Sequence, residues 1–285
     1  MSRSPSAFVP GHITGFFSTH PHKNPEKAGS RGAGLALSDG VSVSIERAAE
    51  SAVVLNDEQV SMAAVEGVLD RLGVTARVTI RTELPVSAGF GVSGASALGT
   101  ALTANTITED DRTENELIAL AHAAEVEAGT GLGDVVGQAR GGVPIRREPG
   151  GPPHGQIDGL FVRDRIEYVS FGGLDTAAIL GGDTAALSRA GEDALTGLLE
   201  QPTLEQFMAE SRRFAREAGL LTERVEETIA AVQNVGGEAS MAMLGETVFA
   251  LGEGLTKAGY DPTVCHIDGG PRNECRQRTT FLDAR

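Results

Sequence analysis

Hydrophobic and polar residues follow two different periods along the first half of the chain. The segment Val74–Glu83 is apolar at every second position, which is the period of a strand with one buried face. Similar apolar segments predict three earlier strands, which are Ala7–Thr19 with a break at Pro10-Gly11, Leu37–Ile45 and Ala52–Leu55. Apolar residues spaced by three and four predict helices at Val60–Leu72, Ala95–Thr103 and Thr113–Ala128. Thr113 and Glu116 form a capping box at the start of the last helix.

The stretch Pro149–Gly155, PGGPPHG, has the Pro and Gly content of a linker. We therefore expect an N-terminal domain at 1–150 and a C-terminal domain at 156–285. Beyond the linker the pattern predicts strands at Leu160–Arg163, Arg165–Phe171, Thr176–Leu180 and Thr263–Ile267. It predicts helices at Asp183–Leu199, Leu204–Ala218 and Thr222–Val232. Strands and helices in this order, without an internal repeat, favour the α+β class.

The charge of the chain restricts its partners. The 285 residues include 39 acidic and 24 basic side chains, for a formal net charge of −15. Neither nucleic acid nor an anionic membrane attracts such a surface, so we expect neither as a partner. Only three basic residues are lysines. An excess of acidic residues with few lysines is typical of proteins from a high-salt cytoplasm. The absence of a signal-peptide pattern and the presence of only two cysteines favour a cytoplasmic location.

A loop rich in glycine and serine separates the strand at Val74–Glu83 from the helix at Ala95–Thr103. Its sequence from Leu84 to Gly94 is LPVSAGFGVSG. Glycines let the backbone approach an anion, and the unpaired N–H groups at the start of the helix favour negative charge. The loop therefore predicts a phosphate-binding site.

Two well-known phosphate-loop motifs fit this segment poorly. GFGVSG at Gly89–Gly94 satisfies the dinucleotide fingerprint, but that fingerprint also needs a second strand ending in an acidic residue about twenty positions further on. The corresponding region, Thr106–Asn115, has no apolar run. A Walker A loop needs a lysine after the glycines, and none follows here.

A second glycine-rich turn carries acidic residues. Glu125 and Glu127 lie at the end of a predicted helix, and Asp134 lies between a Gly-Thr-Gly-Leu-Gly turn and an apolar pair, where a carboxylate is expected to face a cleft. Phosphoryl transfer to an alcohol needs a phosphate cradle, Mg²⁺ held by oxygen ligands and a carboxylate that accepts the proton. Ser93 and Glu125 are suitable ligands and Asp134 a suitable base. A capping role for Asp134 and solvated roles for both glutamates remain open.

Four stretches of sequence together resemble the GHMP small-molecule kinases. The loop carries the pattern Pro-x-x-x-Gly-x-Gly-x-Ser-x-Ala. GTGLGDVVGQARGG at Gly129–Gly142 is similar to the family's turn with a catalytic Asp and a nearby Gly-Gly. PGHITGFFSTH at Pro10–His20 is similar to the first motif, and GGEASMAMLGETVFAL at Gly236–Leu251 to the third, which packs near the nucleotide. These stretches follow the family's order over most of the chain.

The resemblance implies a two-domain α+β fold, with an N-terminal domain like domain 2 of ribosomal protein S5 and a ferredoxin-like C-terminal domain. It implies ATP as co-substrate, Mg²⁺ held by Ser93 and Glu125 in the N-terminal domain, and Asp134 as catalytic base. A homodimer is compatible with it. The residues implied to bind ATP are Pro85, Gly89, Gly91, Val92, Ser93, Gly94 and Ala95.

Within the family, PGHITGFF, SAGFGVSGASAL, GTGLGDV and SMAMLGETVF are most similar to the archaeal branch that phosphorylates pantoate in coenzyme A synthesis. Pantoate is a small hydroxy acid with one carboxylate, so its pocket is expected to hold a cation, and arginine grips a carboxylate bidentately. Arg140 and Arg146 are the first candidates and Arg31 a third. His12, which stands where the family usually has lysine, is placed with them among the substrate-binding residues. The Glu-His that follows the first motif in the family is missing after Gly15.

Other functions remain open from the sequence. Sister kinases act on mevalonate, homoserine or shikimate, and sequence separates these acceptors poorly. A dehydrogenase built on GFGVSG needs more alternating strands and helices, and a non-catalytic relative would lack Asp134 or Ser93. Two loose groups of metal-binding residue types are also present, which are His12, His20 and His22, and Cys265, His266 and Cys275.

Overall fold

The computed structural model describes residues 4–108, 111–173 and 184–274. The strands are β1 Ser6–His20, β2 Gly29–Arg47, β3 Ala52–Leu55, β4 Glu58–Val60, β5 Ala76–Thr82, β6 Val143–Glu148, β7 Gln156–Leu160, β8 Arg165–Gly173, β9 Ala239–Met241, β10 Gly245–Leu251, β11 Thr263–His266 and β12 Arg272–Asn273. The helices are α1 Ala63–Leu72, α2 Val92–Ala104, α3 Glu114–Ala128, α4 Asp134–Arg140, α5 Ala185–Glu200, α6 Leu204–Glu217, α7 Glu223–Asn234 and α8 Gly254–Lys257.

Two sheets form from the strands of these described ranges. The larger has the order β12-β1-β2-β5-β3-β4, with β6 paired to β2 and β7 paired to β6. All of its pairs are antiparallel except β3 with β5. The smaller sheet, β11-β8-β10-β9, is antiparallel throughout. This confirms the predicted α+β class, and the dehydrogenase alternative is wrong because the described strands form no doubly wound parallel sheet.

The first strand differs from its prediction at Pro10-Gly11. β1 continues through this dipeptide, and Pro10 still lies opposite Gly40 of β2. A register shift follows between Pro10 and His12, so the chain absorbs the proline as an irregularity of the ladder and does not turn. Consequently the segment Pro10–His20, which resembles the first motif of the family, stays in the sheet.

Helix α2 packs against the centre of the larger sheet and is buried on nearly all sides. A Cβ atom at Gly99 would lie 2.5 Å from the Val43 side chain of β2, so this glycine permits the close approach of helix and sheet. Helices α1 and α3 cover the other sides of α2. The glycine loop that precedes α2 is thereby held at one end of the sheet.

The second half of the chain packs directly on β1. A Cβ at Gly191 of α5 would lie 2.0 Å from the carbonyl oxygen of Phe17, and a Cβ at Gly15 would lie 2.6 Å from the Phe207 ring of α6. Strands β7 and β12, which follow the predicted linker, pair with β6 and β1 of the larger sheet. The domain limits 1–150 and 156–285 stay a prediction.

Other elements lie near their predicted positions, with two exceptions. The capping box is confirmed, since the Thr113 side chain accepts the Glu116 N–H. The strand predicted at Leu160–Arg163 ends instead at Leu160, because β7 is an exposed edge strand without an apolar period to reveal it. Helix α4 and strand β6 arise from a glycine-rich passage in which no element was predicted. The strand predicted at Thr176–Leu180 and the predicted helix start at Asp183 lie outside the described residues.

The described helices also bear on membrane association. In residues 4–108, 111–173 and 184–274, none of them combines the length and apolar character needed to cross a bilayer.

Candidate active site

A cavity of about 490 Å³ opens between the glycine loop, the turn before α4 and the strands β1 and β6. Three ionisable side chains reach its surface, which are Glu125, Asp134 and Arg146. The loop contributes Val86, Ser87, Gly89, Phe90, Gly91, Val92 and Ser93. The size and the mixed lining are those of a small-molecule site.

The glycine loop meets the cavity with its backbone. Gly89 and Gly91 have φ angles of 89° and 62°, in the left-handed region that glycine enters without strain. Gly91 is the N-cap of α2 and offers no side-chain acceptor to the first N–H groups of the helix. The turn is fixed from α4, where Nε2 of Gln138 donates to the Gly91 carbonyl over 2.8 Å. These features are those of an anion site at a helix N-terminus.

The segment Gly236–Leu251, which resembles the third motif of the family, packs behind this loop. A Cβ at Gly89 would lie 3.2 Å from the carbonyl oxygens of Ala242 and Met243. The Thr247 hydroxyl donates to the Ala88 carbonyl over 2.9 Å. The segment between β9 and β10 therefore supports the loop from the side opposite α4, as the family resemblance implies.

Asp134, the first residue of α4, is bonded to a histidine from β1. Nδ1 of His12 lies 2.7 Å from Oδ1 of Asp134, and the His12 side chain is fully buried while that of Asp134 is 22% exposed. Burial raises the pKa of Asp134, but the hydrogen bond from His12 and the charge of Arg146 act in the other direction and outweigh it, so the pKa lies below its ordinary value. Burial lowers the pKa of His12 by more than Asp134 raises it, so the imidazole is neutral at pH 7.

Glu125 of α3 is a buried carboxylate on the cavity wall. Its residue exposure is 1%, and among the described residues no group makes a hydrogen bond of ordinary geometry to either carboxylate oxygen. Burial and then the negative charge of Asp134 raise its pKa well above 4.5, against a weaker opposing effect of the Val135 N–H. A Cβ at Gly94 would lie 2.8 Å from Oε1, and one at Gly131 2.6 Å, so two glycines make room for the carboxylate.

Arg146 of β6 is a buried cation that lines the same cavity. It is 2% exposed, its Nε donates to the Ser30 hydroxyl over 3.2 Å, and Nη1 has no hydrogen-bond partner in the described part of the chain. Burial lowers its pKa to about 10, although the charge of Asp134 acts in the other direction, so the guanidinium is charged at pH 7. The register of β6, with Arg146 opposite Gly32, sets its position. Its free nitrogen is a donor available to an anionic ligand.

The structure gathers most of the predicted site residues but not all. Gly89, Gly91, Val92, Ser93, Glu125, Asp134 and Arg146 line the cavity, whereas Pro85, Gly94, Ala95, His12, Arg140 and Arg31 do not. Gly94 lies just beneath the surface against Glu125, and His12 lies behind Asp134. The Arg140 guanidinium donates to the Gly141 carbonyl and lines a smaller depression, which Arg146 also lines. Arg31 is bonded to Glu192 and to the Arg147 carbonyl.

Sequence reasoning missed several residues around the cavity. Gln138, Thr14, Ser30 and Thr130 were not predicted, yet Gln138 holds the loop, the Thr14 hydroxyl lies 3.4 Å from Nδ1 of His12, and Ser30 holds Arg146. The Thr130 hydroxyl accepts from Ser93 over 2.9 Å. Only Gln138 carries a sequence signal, since it follows Asp134 by four positions and so shares a helix face with it.

The grouping of His12, His20 and His22 is not assembled, and the grouping with Cys265 and His266 includes a residue outside the described ranges. Within residues 4–108, 111–173 and 184–274, no three His, Cys, Asp or Glu side chains come together as a metal group. His12 is bonded to Asp134, and His20 lies 3.1 Å from Glu192. Cys265 is buried, which raises the pKa of its thiol to about 12, and Cys275 lies outside the described residues.

Comparisons with known proteins place this fold among small-molecule kinases. The model of the GHMP kinases N terminal domain matches residues 59–142. The structure of mevalonate-3-kinase from Thermoplasma acidophilum covers 96% of this chain and 99% of its own, with a TM-score of 0.70 and 14% identity. Homoserine kinase from Cytophaga hutchinsonii gives a TM-score of 0.64 at 18% identity, with 96% and 98% covered. At these identities the likeness establishes the fold.

Closer relatives establish the family. A solved phosphotransferase related to the coenzyme A biosynthesis pathway is 34% identical, with a TM-score of 0.84 over 95% of this chain and 98% of its own. The chain belongs to the GHMP kinase family, whose predicted two-domain α+β fold it has, and as a member of a kinase family it uses ATP as co-substrate. Its full-length relatives include the pantoate kinases of Thermococcus kodakarensis, 39% identical over 86% of each chain, and of Methanocaldococcus jannaschii, 33% identical over 91% of this chain and 99% of the relative.

Proposed function

We propose that this chain transfers the γ-phosphoryl group of ATP to the 4-hydroxyl of (R)-pantoate, giving ADP and (R)-4-phosphopantoate, in coenzyme A biosynthesis. The similarity to pantoate kinases over most of the chain supports this proposal. The observation that carries it is the placement of one buried guanidinium with an unpartnered nitrogen, on Arg146, in the same cavity as Asp134 and the start of α2. A small hydroxy acid with one carboxylate has the charge and size for such a site.

ATP phosphates are assigned to the glycine loop and the start of α2. The N–H groups of Val92, Ser93 and Gly94 are the first donors of the helix, and the helix dipole adds a positive partial charge at the same end. The loop carries no lysine or arginine, so backbone donors provide the attraction there. Pro85 and Ala95, which do not line the cavity, contribute by setting the loop and the first turn of α2.

The donor set at the floor of the cavity fits Mg²⁺. Glu125 offers two buried oxygens without ordinary hydrogen bonds, and Ser93 lines the same cavity. Magnesium sites near phosphates use one or two protein oxygens, with phosphates and water completing the shell, so a cluster of three acidic residues is not needed. We assign Ser93 and Glu125 to the ion. What Mg²⁺ supplies in such a site is neutralisation of charge on the β- and γ-phosphates.

Asp134 is assigned as the base. Its Oδ1 is occupied by His12, so Oδ2 is the atom available to the acceptor hydroxyl. Oδ2 accepts the hydroxyl proton as the acceptor oxygen bonds to the γ-phosphorus, and the bond from that phosphorus to the β–γ bridging oxygen breaks to release ADP. The lowered pKa of Asp134 keeps it ionised and ready to accept at neutral pH.

Arg146 is assigned to the acceptor carboxylate. Its Nε is held by Ser30, which fixes the plane of the guanidinium, and Nη1 remains free to donate. The pair of Arg146 and Asp134 then orients the acceptor, with its carboxylate at the arginine and its hydroxyl at the base. Arg140, outside the cavity, is a suitable control residue.

The test is ADP release with ATP and Mg²⁺ in high-salt buffer, with (R)-pantoate, mevalonate, homoserine and shikimate assayed side by side. We expect turnover with pantoate alone and a product phosphorylated on the 4-hydroxyl, as read by phosphorus NMR. Turnover with one of the other three acceptors would support the kinase activity and contradict pantoate as the acceptor. Lack of turnover with all four, while ATP still binds, would contradict the proposed function.

A cytoplasmic location and a homodimer also remain proposals. The sequence features that favour the first are the acidic composition and the low cysteine content. Sedimentation of the purified protein at several concentrations tests the second.

A further inference from the structure

His12 is the buried group in contact with the proposed base. It does not line the cavity, its side chain has no exposed surface, and its Nδ1 lies 2.7 Å from Oδ1 of Asp134. The backbone N–H of His12 donates to the Phe90 carbonyl over 2.9 Å, which ties β1 to the glycine loop at this position. His12 therefore touches both the base and the loop without reaching the ligand space.

Two glycines hold the imidazole ring in place. A Cβ at Gly34 of β2 would lie 2.3 Å from Nε2 of His12, and a Cβ at Gly137 of α4 would lie 2.8 Å from the same atom. Nε2 has no hydrogen-bond partner among the described residues. The ring is thus confined on the side of Nε2 and bonded on the side of Nδ1, so it has little freedom to rotate.

The two oxygens of Asp134 have different surroundings. Oδ1 faces His12, whereas Oδ2 lies 3.1 Å from the point where a Cβ at Gly131 would be, and Gly131 lines the cavity. A carboxylate free to rotate would exchange these oxygens. The bond to a buried, confined ring prevents that exchange.

We propose that His12 is a positioning residue, whose Nδ1–H holds Oδ1 of Asp134 so that Oδ2 faces the acceptor hydroxyl. The inference rests on the proposed role of Asp134 as base. The charges that act on the ring come from Asp134 on α4 and Arg146 on β6. His12 keeps its Nδ1 proton throughout the reaction, and the proton of the acceptor goes to Oδ2 alone.

A neutral donor at this position has a chemical consequence. A cation bonded to Asp134 would stabilise its ionised form and weaken it as a proton acceptor, whereas a neutral imidazole orients the carboxylate with a smaller effect on its basicity. The assignment requires a proton on Nδ1, because an ionised carboxylate can only accept, and none on Nε2, because that buried nitrogen has no acceptor among the described residues.

The first test reads the tautomer in the unmodified protein. A two-bond ¹H–¹⁵N correlation spectrum of protein labelled at its six histidines distinguishes the two neutral tautomers, and the signals missing in His12→Asn identify His12. We expect the Nδ1–H form at pH 7. The Nε2–H form, or a doubly protonated ring, would overturn the inference. This readout needs no substrate, so it stands whether or not pantoate is the acceptor.

The second test separates orientation from folding. Asn can place an amide nitrogen near the position of Nδ1, whereas Gln reaches toward Nε2, so His12→Asn and His12→Gln form a matched pair. We expect His12→Gln to lose on the order of 10²-fold in kcat with unchanged KM values, as for a misplaced reacting group, and His12→Asn to recover much of it. Equal rates for both variants, or a change confined to the acceptor KM, would overturn the positioning role.

A third comparison keeps the inference falsifiable if the His12 variants do not fold. Gly137→Ala brings a methyl group against Nε2 and should lower kcat in the same way, with Gly67→Ala in α1 as a control helix glycine. On an Asp134→Asn background, Gly137→Ala should have no further effect on kcat, because the ring acts through Asp134. An undiminished effect on that background would contradict the proposal.

Discussion

The cavity has two walls that are built differently. The loop wall, Val86–Ser93, presents backbone donors, and its charge is the partial charge of a helix end. The acid–arginine wall, formed by Glu125, Asp134 and Arg146, presents ionisable side chains, of which Glu125 and Arg146 are buried. The loop wall is local in sequence, whereas the nearest partners of the second wall lie up to 122 positions away. Activity should therefore be sensitive to side-chain atoms added to the loop wall, and to the removal of charged groups from the acid–arginine wall.

The largest effect should come from the base of the acid–arginine wall. In Asp134→Asn the amide can still accept from His12, but it cannot take up a proton. We expect kcat to fall about 10²- to 10⁴-fold, the usual contribution of general base catalysis, with ATP binding retained. Steady-state kinetics and calorimetric titration with ATP measure the two parts. A near-normal rate would remove Asp134 from the role of base.

The second largest effect should come from Arg146→Met, which distinguishes binding of the acceptor from binding of the nucleotide. Loss of a charge-assisted hydrogen bond of about 1.5–3 kcal/mol should raise the acceptor KM about 10- to 100-fold and leave the KM of ATP unchanged. Arg140→Met is the matched control, since Arg140 does not line the main cavity, and this variant should leave both values as they are. The reverse pattern would place the acceptor carboxylate at Arg140.

The difference between the walls also decides what the sequence could predict. The loop wall lies between a strand and a helix within a stretch of about twenty residues. The strand, the glycine turn and the helix start each have a local sequence signal. Asp134 and Glu125 were predicted for the same reason, since a glycine turn joins them in sequence. The α+β class followed from element order alone.

The contacts of the second wall had no such signal. His12 was placed among the substrate-binding residues because it stands where the family usually has lysine. Its contact with Asp134 joins β1 to α4, so it depends on the fold and has no local signal. Arg146 and Arg140 looked equivalent, and the register of β6 against β2 separates them. That strand is buried on both faces over its first four residues, so no alternation revealed it. Ser30, the partner of Arg146, was missed for the same reason.

A smaller effect should come from adding one methyl group under the loop wall. Gly94→Ala would place a Cβ 2.8 Å from Oε1 of Glu125, where the backbone of α2 cannot move away from the sheet. We expect the KM of Mg·ATP to rise about tenfold, equivalent to about 1.4 kcal/mol, with the acceptor KM unchanged. Gly67→Ala in α1 would place its Cβ 3.3 Å from the flexible end of Arg71 and 3.4 Å from the Cβ of Ala124, which is an ordinary contact, so it should leave kinetics unchanged and stabilise its helix. Equal kinetics for the two variants would contradict the assignment of Glu125 to the metal.

The smallest effect is one of stability, and its sign depends on pH. Glu125 has a folded-state pKa above its ordinary value of 4.5, so its ionisation favours the unfolded chain as pH rises from about 4.5 through the raised folded value, and the loss then levels off. In the metal-free protein, Glu125→Gln should therefore stabilise by about 1–3 kcal/mol at pH 7 and by less at pH 4.5, while it lowers activity. Thermal unfolding of both proteins in chelator at the two pH values measures the difference. A Glu125→Gln protein that is no more stable at pH 7 than the unmodified chain would mean that the carboxylate is solvated, and that the two walls differ less than their geometry indicates.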